Sequence, residues 1–353
     1  MRAVVESAIN TEIKDLVAVD FFGDWDLKKI CPRVELVDEH KRNFLSIFSD
    51  YPSDKILYAS VLENHVDILK TVEDRILGNK SKVIELLRPG KRWWGLASYL
   101  GIRIPEVSLD EPLNGNWLQK PFKSGGGRKI SFWTKGMKIK KGFYLQKFLK
   151  GENLSFLFNA NGKDFVLLGV TKQLIGVKEL GGKDFKWCGN IYPFDISKGL
   201  KEEVEEWIYK ILTKVEFYGV GGIDVIISDG KPYLIEINPR YTGSMELVER
   251  ATGNSIVGMH LSACKGELTK VNMDFKGYFG KGIIYAERNL KGFLSEKIWN
   301  NGFKDIPWEN EVIKVGRPIC SVFTTGKDLK DVFNKLAKGK HWLYERGLKS
   351  EEV

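Results

Sequence analysis

Cysteine and histidine are scarce: the 353 residues hold four of each. Cys31, Cys188, Cys264 and Cys320 stand far apart with no Cys-x-x-Cys spacing, and the histidines are as scattered. That speaks against a disulfide framework or a zinc site and suits a reducing, cytoplasmic setting. Long apolar runs are missing too. No stretch reaches the about 18 apolar residues that a membrane-spanning helix needs. The opening MRAVVESAIN lacks the basic-then-apolar layout of a secretory leader. There is no internal repeat and no low-complexity tract. Acidic residues are absent from one segment: Lys120 to Lys150 contains ten Lys or Arg and no Asp or Glu. The chain as a whole is at +9, from 55 basic and 46 acidic residues. A basic run is ordinarily a solvated face. A polyphosphate ligand would want it as well. Nucleic acid is the weaker reading, because no nucleic-acid-binding module is recognisable.

What is present suits a soluble globular protein of two or three domains, with 43% hydrophobic and 29% charged residues. Arg2–Ile9 reads as a helix, Leu16–Phe21 as a short strand, Lys55–Ala59 as another, and Asn64–Leu77 has helical spacing. Such alternation predicts a small parallel α/β unit. A unit of this kind normally opens with a strand ahead of its first helix, and that strand is expected to be missing here. Gly90 to Gly101 is a helix, with Trp93, Trp94, Ala97 and Leu100 on one side and Lys91 and Arg92 at its start. Trp117–Pro121 is a strand. It leads into Ser124, Gly125, Gly126 and Gly127, where the lack of Cβ atoms lets backbone N–H groups turn toward an anion. Tyr144–Glu152 is a strand running into a linker, and the strand's edge would offer backbone groups to a ligand. Asn153–Asn159 and Phe165–Leu174 are paired strands, with Lys172 aimed at the same ligand. Lys178–Asn190 is a loop rich in Gly and Lys. Val204, Trp207, Ile208, Ile211 and Leu212 mark one face of a helix at Leu200–Val215. Met245–Ala251 and Ser255–Lys265 are further helices. The last part holds strands at Gly282–Ala286 and Ile319–Thr324 and a helix at Leu329–Lys338.

The most informative stretch is Val220 to Arg240, VGGIDVIISDGKPYLIEINPR. Two β-rich runs flank Asp229-Gly230, a hairpin signal. Glu236 and Asn238 share a face because side chains alternate along a strand. A two-residue turn would pair Ser228 with Lys231 and set Asp224 opposite Ile235. A three-residue loop centred on Gly230 sets Asp224 opposite Glu236 and gathers Val225, Ile227, Ile235 and Ile237 on one apolar face. The apolar pattern therefore predicts the three-residue loop. Two carboxylates and an amide then converge. Hard oxygen ligands of this kind suit Mg²⁺ completed by water and phosphate. The plain alternative is the solvated face of an amphipathic hairpin.

The tail Glu236-Ile-Asn-Pro-Arg240 with the preceding Gly-Ile-Asp-Val resembles the metal-binding signature of the ATP-grasp superfamily of carboxylate–amine and carboxylate–thiol ligases. The other parts follow in the family's order from about Gly78 to Leu268. These are the Lys-Pro strand with its glycine loop, the strand ending in Leu-Lys-Gly-Glu152, and the acidic hairpin. The segment from Asn238 to Gly253 is similar to uncharacterised ATP-grasp proteins related to biotin carboxylase. Asp305-Ile-Pro307 and Gly316-Arg-Pro-Ile-Cys320 are similar to that subgroup's C-terminal tail. The resemblance implies an α/β (α+β) ATP-grasp fold in four parts. They are an N-terminal α/β domain at 1–77, two α+β subdomains gripping ATP at 78–150 and 151–268, and a small β-rich domain at 269–353. It further implies that Lys120 and one of Lys91 or Arg92 bind phosphates, under a loop of Ser124 to Gly127. Gln146, Lys147, Phe148 and Leu149 would line adenine, with Gln146 where many relatives carry an acid. Glu152 would take the ribose. Asp224, Glu236 and Asn238 would hold one or two Mg²⁺, with Mn²⁺ as a substitute, and Arg240 would stabilise an acyl phosphate. The implied activity is ATP-dependent joining of a small carboxylic acid to an amine, in the cytoplasm, with a second copy of the chain as a partner. An ATP-binding module without ligase activity and a carboxylase-type enzyme are the alternatives.

Overall fold

A computed structural model describes the chain apart from residues 14, 39–42, 60, 61, 113, 273 and 350–353. It begins with α1 (Arg2–Ile9), β1 (Val17–Asp20), α2 (Trp25–Ile30) and β2 (Arg33–Leu36). β1 and β2 pair in parallel, as a strand–helix–strand unit requires. Short helices follow: α3 (Phe44–Asp50), α4 (Val66–Thr71), α5 (Ser81–Leu87) and α6 (Lys91–Tyr99). Two sequence expectations change here. Lys55–Ala59 forms only isolated parallel bridges, Ile56 to Ile76 and Ala59 to Tyr241. The continuous helix expected over Asn64–Leu77 is broken into α4 and flanking single 3₁₀ turns.

A small sheet comes next, from β3 (Val107–Ser108), β4 (Trp117–Pro121), β5 (Ser131–Trp133) and β6 (Phe143–Lys147), in the order β3-β6-β4-β5. Trp117, Trp133 and Leu145 form its core. β6 lies inside this sheet and is not the edge that the sequence suggested. The backbone N–H groups of Lys147 and Phe148 already donate to Glu106 and Asn116, both at 2.8 Å.

The main sheet uses β7 (Glu152–Asn161), β8 (Phe165–Ile175), β9 (Trp187–Tyr192), β10 (Tyr218–Ser228), β11 (Lys231–Asn238), β12 (Tyr278–Tyr285) and β13 (Pro318–Gly326). Their order is β11-β10-β7-β8-β9-β12-β13. Thus the segment read as a loop up to Asn190 turns into strand at Trp187, and the C-terminal strands extend the central sheet through β12 on β9. The connecting helices are α7 (Lys198–Leu212), α8 (Met245–Thr252), α9 (Ile256–Cys264), α10 (Ser295–Asn300) and α11 (Leu329–Arg346). The five apolar residues that marked α7 are the ones it buries. They pack with α5 and α6 on Leu154, Phe156, Ile223, Val225, Leu234 and Ile237 of the sheet. Alternation then leaves Ser155, Asp224 and Glu236 on the opposite face, away from that core.

The acidic hairpin reaches the expected pairing by a different route. Ser228 pairs with Lys231, so the turn is the two-residue Asp229-Gly230. Both residues have positive φ, 48° and 72°, which fits the turn type that matches strand twist. Yet Asp224 still stands opposite Glu236, because the register slips between Asp224 and Val225 and Ile235 is left over as a bulge. Leu234, not Ile235, consequently joins the core beside Val225.

Candidate active site

The face opposite the core gathers the polar residues of several strands. Asp224 sits mid-strand on β10 with β11 on one side and β7 on the other. Its Oδ1 accepts from Ser155 Oγ (2.6 Å) and Gln173 Nε2 (2.9 Å), and its Oδ2 from Asn238 Nδ2 (3.2 Å). Burial raises its pKa, opposed by Ser155, Arg240, Asn238 and Lys120. Glu236, directly opposite, has no hydrogen-bond partner among the described residues. Its carboxyl is pushed up to about 7 by burial, then by Asp224 and Glu63, against the pull of Lys120 and Arg240. A carboxylate left unpaired beside another is what a cation site looks like before its cation is added. No cluster of three or more His, Cys, Asp or Glu suited to a metal occurs among the described residues. The oxygen set here is two carboxylates and one amide, which suits a hard ion that brings phosphate and water as further ligands.

Two cations approach this pair. Lys120, from β4 of the small sheet, donates to Gln146 Oε1 (3.0 Å). Burial lowers its pKa, while Glu236 and Asp224 raise it. Arg240 is buried. It donates to Asn238 Oδ1 (2.8 Å), Glu63 Oε1 (2.8 Å) and the Tyr241 carbonyl (3.3 Å). Burial opposes its charge, but Glu63, Glu236 and Asp224 more than compensate. Its Nε–H is buried with no partner among the described residues, a donor free for an anion. Glu63 comes from 177 positions earlier in the chain, and with Arg88, Glu236 and Pro239 it lines a cavity of about 10 Å³, the size of one water.

The loop of Ser124 to Gly127 is seated on the start of β9. Gly126 O accepts from the Trp187 N–H (3.2 Å), and a Cβ on Gly127 would lie 1.8 Å from the Phe185 carbonyl. Only glycine allows that approach. The Trp187 ring in turn covers Gly243, where a Cβ would meet it at 2.5 Å. Phe148 is near this junction through Phe132, which also meets Phe185 (centroids 5.2 and 5.4 Å).

Not every expected residue joins the cluster. Lys91 and Arg92 are exposed at the start of α6. Glu152 pairs with Lys172 (2.5 Å), and both alternate with Leu154 rather than with Ser155 and Asp224. Lys147 pairs with Glu106 (3.0 Å). Leu149 is half-buried in the stretch between β6 and β7. Sequence reasoning missed Glu63, Ser155 and Gln173. Ser155 carried a signal, a hydroxyl between Leu154 and Phe156. Glu63 carried none. It also missed the support under Pro239, whose carbonyl accepts from Asn79 Nδ2 (3.0 Å) and Tyr58 Oη (3.4 Å).

Residues 96–244 match the family described as the ATP-grasp domain. An uncharacterised protein of Methanocaldococcus jannaschii is 25% identical over 280 residues, 74% of this chain and 67% of the relative. The carbamoyl phosphate synthase large chain of Thermoplasma volcanium is 28% identical over 129 residues, 36% of this chain and 12% of that one. The chain thus spans only a small part of the synthase it matches. Among solved structures, N5-carboxyaminoimidazole ribonucleotide synthetase from Thermotoga maritima superposes with a TM-score of 0.70 at 16% identity, covering 96% of this chain and 94% of that one. The biotin carboxylase domain of the Hydrogenobacter thermophilus 2-oxoglutarate carboxylase, solved with MgADP, ADP and bicarbonate, does so with a TM-score of 0.72 at 16% identity, covering 99% and 89%. At that identity the likeness speaks for the fold. Residues 96–244 thus match the ATP-grasp domain, and the chain as a whole shares the fold of these ATP-grasp structures.

Proposed function

We propose that the chain is an ATP- and Mg²⁺-dependent ligase that activates a small carboxylic acid as its acyl phosphate and joins it to an amine. The observation that carries this reading is the unpaired Glu236 carboxylate opposite Asp224, with Lys120 and Arg240 close to both. In the reaction a carboxylate oxygen attacks the γ-phosphorus, the bond to the β-phosphate oxygen breaks, and ADP leaves. The amine nitrogen then attacks the acyl carbon, the C–O bond to phosphate breaks, and the nitrogen gives up a proton. The first step brings anions together and the second builds negative charge on the acyl oxygen, so the site must hold positive charge in advance. Asp224, Glu236 and Asn238 would hold Mg²⁺, which would supply positive charge to the phosphates. Lys120 supplies an ammonium to the phosphates, with Ser124 to Gly127 over them and one of Lys91 or Arg92 as a further contact. Gln146 to Leu149 serve adenine and Glu152 the ribose. The Arg240 guanidinium, braced by Glu63 and Asn238, meets the acyl phosphate and the tetrahedral intermediate.

The test is isothermal titration with a non-hydrolysable ATP analogue, with and without Mg²⁺, followed by phosphate-release screening of acids paired with amines. Bicarbonate belongs in the screen, because the 2-oxoglutarate carboxylase domain of the same fold was solved with it. The expected result is Mg²⁺-dependent binding and release of ADP and phosphate with one class of acid. Tight nucleotide binding without turnover across the screen would favour an ATP-binding module instead. An absence of nucleotide binding would overturn both readings.

A further inference from the structure

The net positive charge of this protein is held in one place. Residues 120–150 contain ten of the 55 basic residues and none of the 46 acidic ones. Without that segment the chain would be one charge negative. The segment makes up β4, β5, β6 and their connections; among the described residues two of its cations bond to or pair with side chains, Lys120 with Gln146 and Lys147 with Glu106, and Lys140 lies over the Phe143 ring (5.7 Å). Lys123, Arg128, Lys129, Lys135, Lys138 and Lys141 are exposed, and none has an ion pair among the described residues. Phe132 and Met137 are exposed among them, at 55% and 46%. β5 ends the small sheet, and its outer edge makes no backbone hydrogen bond among the described residues.

An open strand edge is a template for another strand, and lysines beside it discourage pairing between copies because like charges meet. The same lysines favour a strand of opposite charge. The turn after β5 already takes one carboxylate, since the Gly136 N–H donates to Glu111 Oε1 (3.1 Å). We infer that this face is a docking surface for an acidic polypeptide segment lying along β5. Polypeptide fits better than nucleic acid for two reasons. The edge presents backbone donors and acceptors that an extended chain meets in kind. Nine of the ten cations are lysines, point charges without the fork by which arginine reads phosphate. The surface is on the sheet that carries Lys120 and Gln146, so a docked segment lies beside the candidate site. The inference does not depend on which reaction that site performs.

The experiment is fluorescence anisotropy of the full chain titrated into a labelled poly-glutamate peptide and, separately, a labelled oligouridylate of equal charge, at low and physiological salt. The peptide should bind more tightly than the oligonucleotide. Joint substitution Lys129→Glu, Lys135→Glu and Lys138→Glu should weaken the peptide by about tenfold or more, since several like charges now face it. A saturating Mg²⁺–ATP analogue should leave peptide binding unchanged, which separates this face from the nucleotide cleft. Lys135→Gln with Lys138→Gln gives the same comparison at about a third of the charge change should the triple variant fail to fold. Tighter binding of the oligonucleotide, equal binding by the variants, or no peptide binding at low salt would overturn the inference.

Discussion

Two groups of buried charge in this molecule are arranged in opposite ways. Around Arg2, nearly every charge is answered. Arg2 is wholly buried and donates to Glu246 (2.5 and 3.2 Å), Asp305 (3.1 Å, twice) and Glu6 (2.7 Å). Lys281 adds a bond to Glu246 (2.8 Å), and Ser321 one to Asp305 (2.5 Å). Burial alone would raise the pKa of Glu246, but Lys281 and Arg2 hold it at about 2. Around Asp224 the opposite holds. Burial dominates both carboxyls, and Glu236 is up at about 7. The first group ties α1, α8 and the segment before β13 together, and its central carboxylates Glu246 and Asp305 are held charged by their cations, while burial raises Asp24 and Asp26 at its margin. The second has more negative charge than its own cations neutralise. That difference separates a structural ion network from a site that waits for a ligand.

The comparison predicts opposite outcomes for removing a charge from each group. Glu236→Gln removes a ligand and no core volume. Mg²⁺-dependent binding of an ATP analogue should fall by on the order of a hundredfold or more, given that even outer partners of metal sites are worth about 10–100-fold. The fold should not suffer. A carboxyl raised to about 7 stabilises the folded state only while protonated, so its contribution is lost as pH rises through that value. The variant should therefore melt no lower than wild type at pH 8. Retained metal-dependent binding would remove Glu236 from the metal site. Arg2→Met should do the reverse. It strands Glu246 in the interior and deprives the partly exposed Asp305 of its main cation, a change worth about 3–5 kcal/mol and on the order of 10 °C in apparent melting temperature. Nucleotide binding by the folded fraction should persist. The pH dependence follows from Glu246, whose carboxyl is depressed to about 2 from an ordinary 4.5. Its stabilisation is present above the ordinary value and is lost as pH falls from about 4.5 toward 2. Wild type should thus lose stability on acidification through that window, and Arg2→Met should lose much less. Equal acid slopes would mean that the network is not what holds Glu246 down.

Lys120→Ala has a smaller predicted effect. It removes one charge-assisted contact and should weaken the ATP analogue by about tenfold. Melting should change little, because among the described residues its ammonium hydrogen-bonds only Gln146. Calorimetry beside thermal melting separates the two effects. An unchanged affinity would leave the phosphates to other groups.

Much of this is legible in the amino-acid sequence itself. The face of α7 was visible as five apolar residues at helical spacing, since a surface helix buries one stripe. The opposition of Asp224 and Glu236 was visible as well, though the reasoning behind it failed. A three-residue loop reconciles the acids with the apolar pattern. A bulge at Ile235 reconciles them equally well, and one extra residue in a strand leaves no signature beyond that pattern. Glu63 was invisible for another reason. It lies in a single 3₁₀ turn far from the hairpin in sequence, and only the packing of the N-terminal segment on Pro239 and Arg240 brings it in. Ion pairs between distant segments have no local periodicity to reveal them. The breaks within Asn64–Leu77 belong to the same class, because tertiary contacts overrode a modest helical pattern.

The smallest predicted effect tests which device sets the register. In a two-residue turn of this type both central residues need positive φ, and Gly230 has it at 72° with nothing within 4 Å of where a Cβ would go. Gly230→Ala therefore meets no clash and costs only the backbone preference, about 1 kcal/mol. If the bulge at Ile235 sets the register, Asp224 stays opposite Glu236 when the turn is strained, and Mg²⁺-dependent nucleotide binding is unchanged while melting falls slightly. If the turn sets it, the strained hairpin gains from relaxing to a longer loop. The acids then slip to opposite faces, since a one-residue shift turns every side chain over. Loss of metal-dependent binding in Gly230→Ala, out of proportion to its small loss of stability, would assign the register to Asp229-Gly230 and reduce the bulge to its consequence.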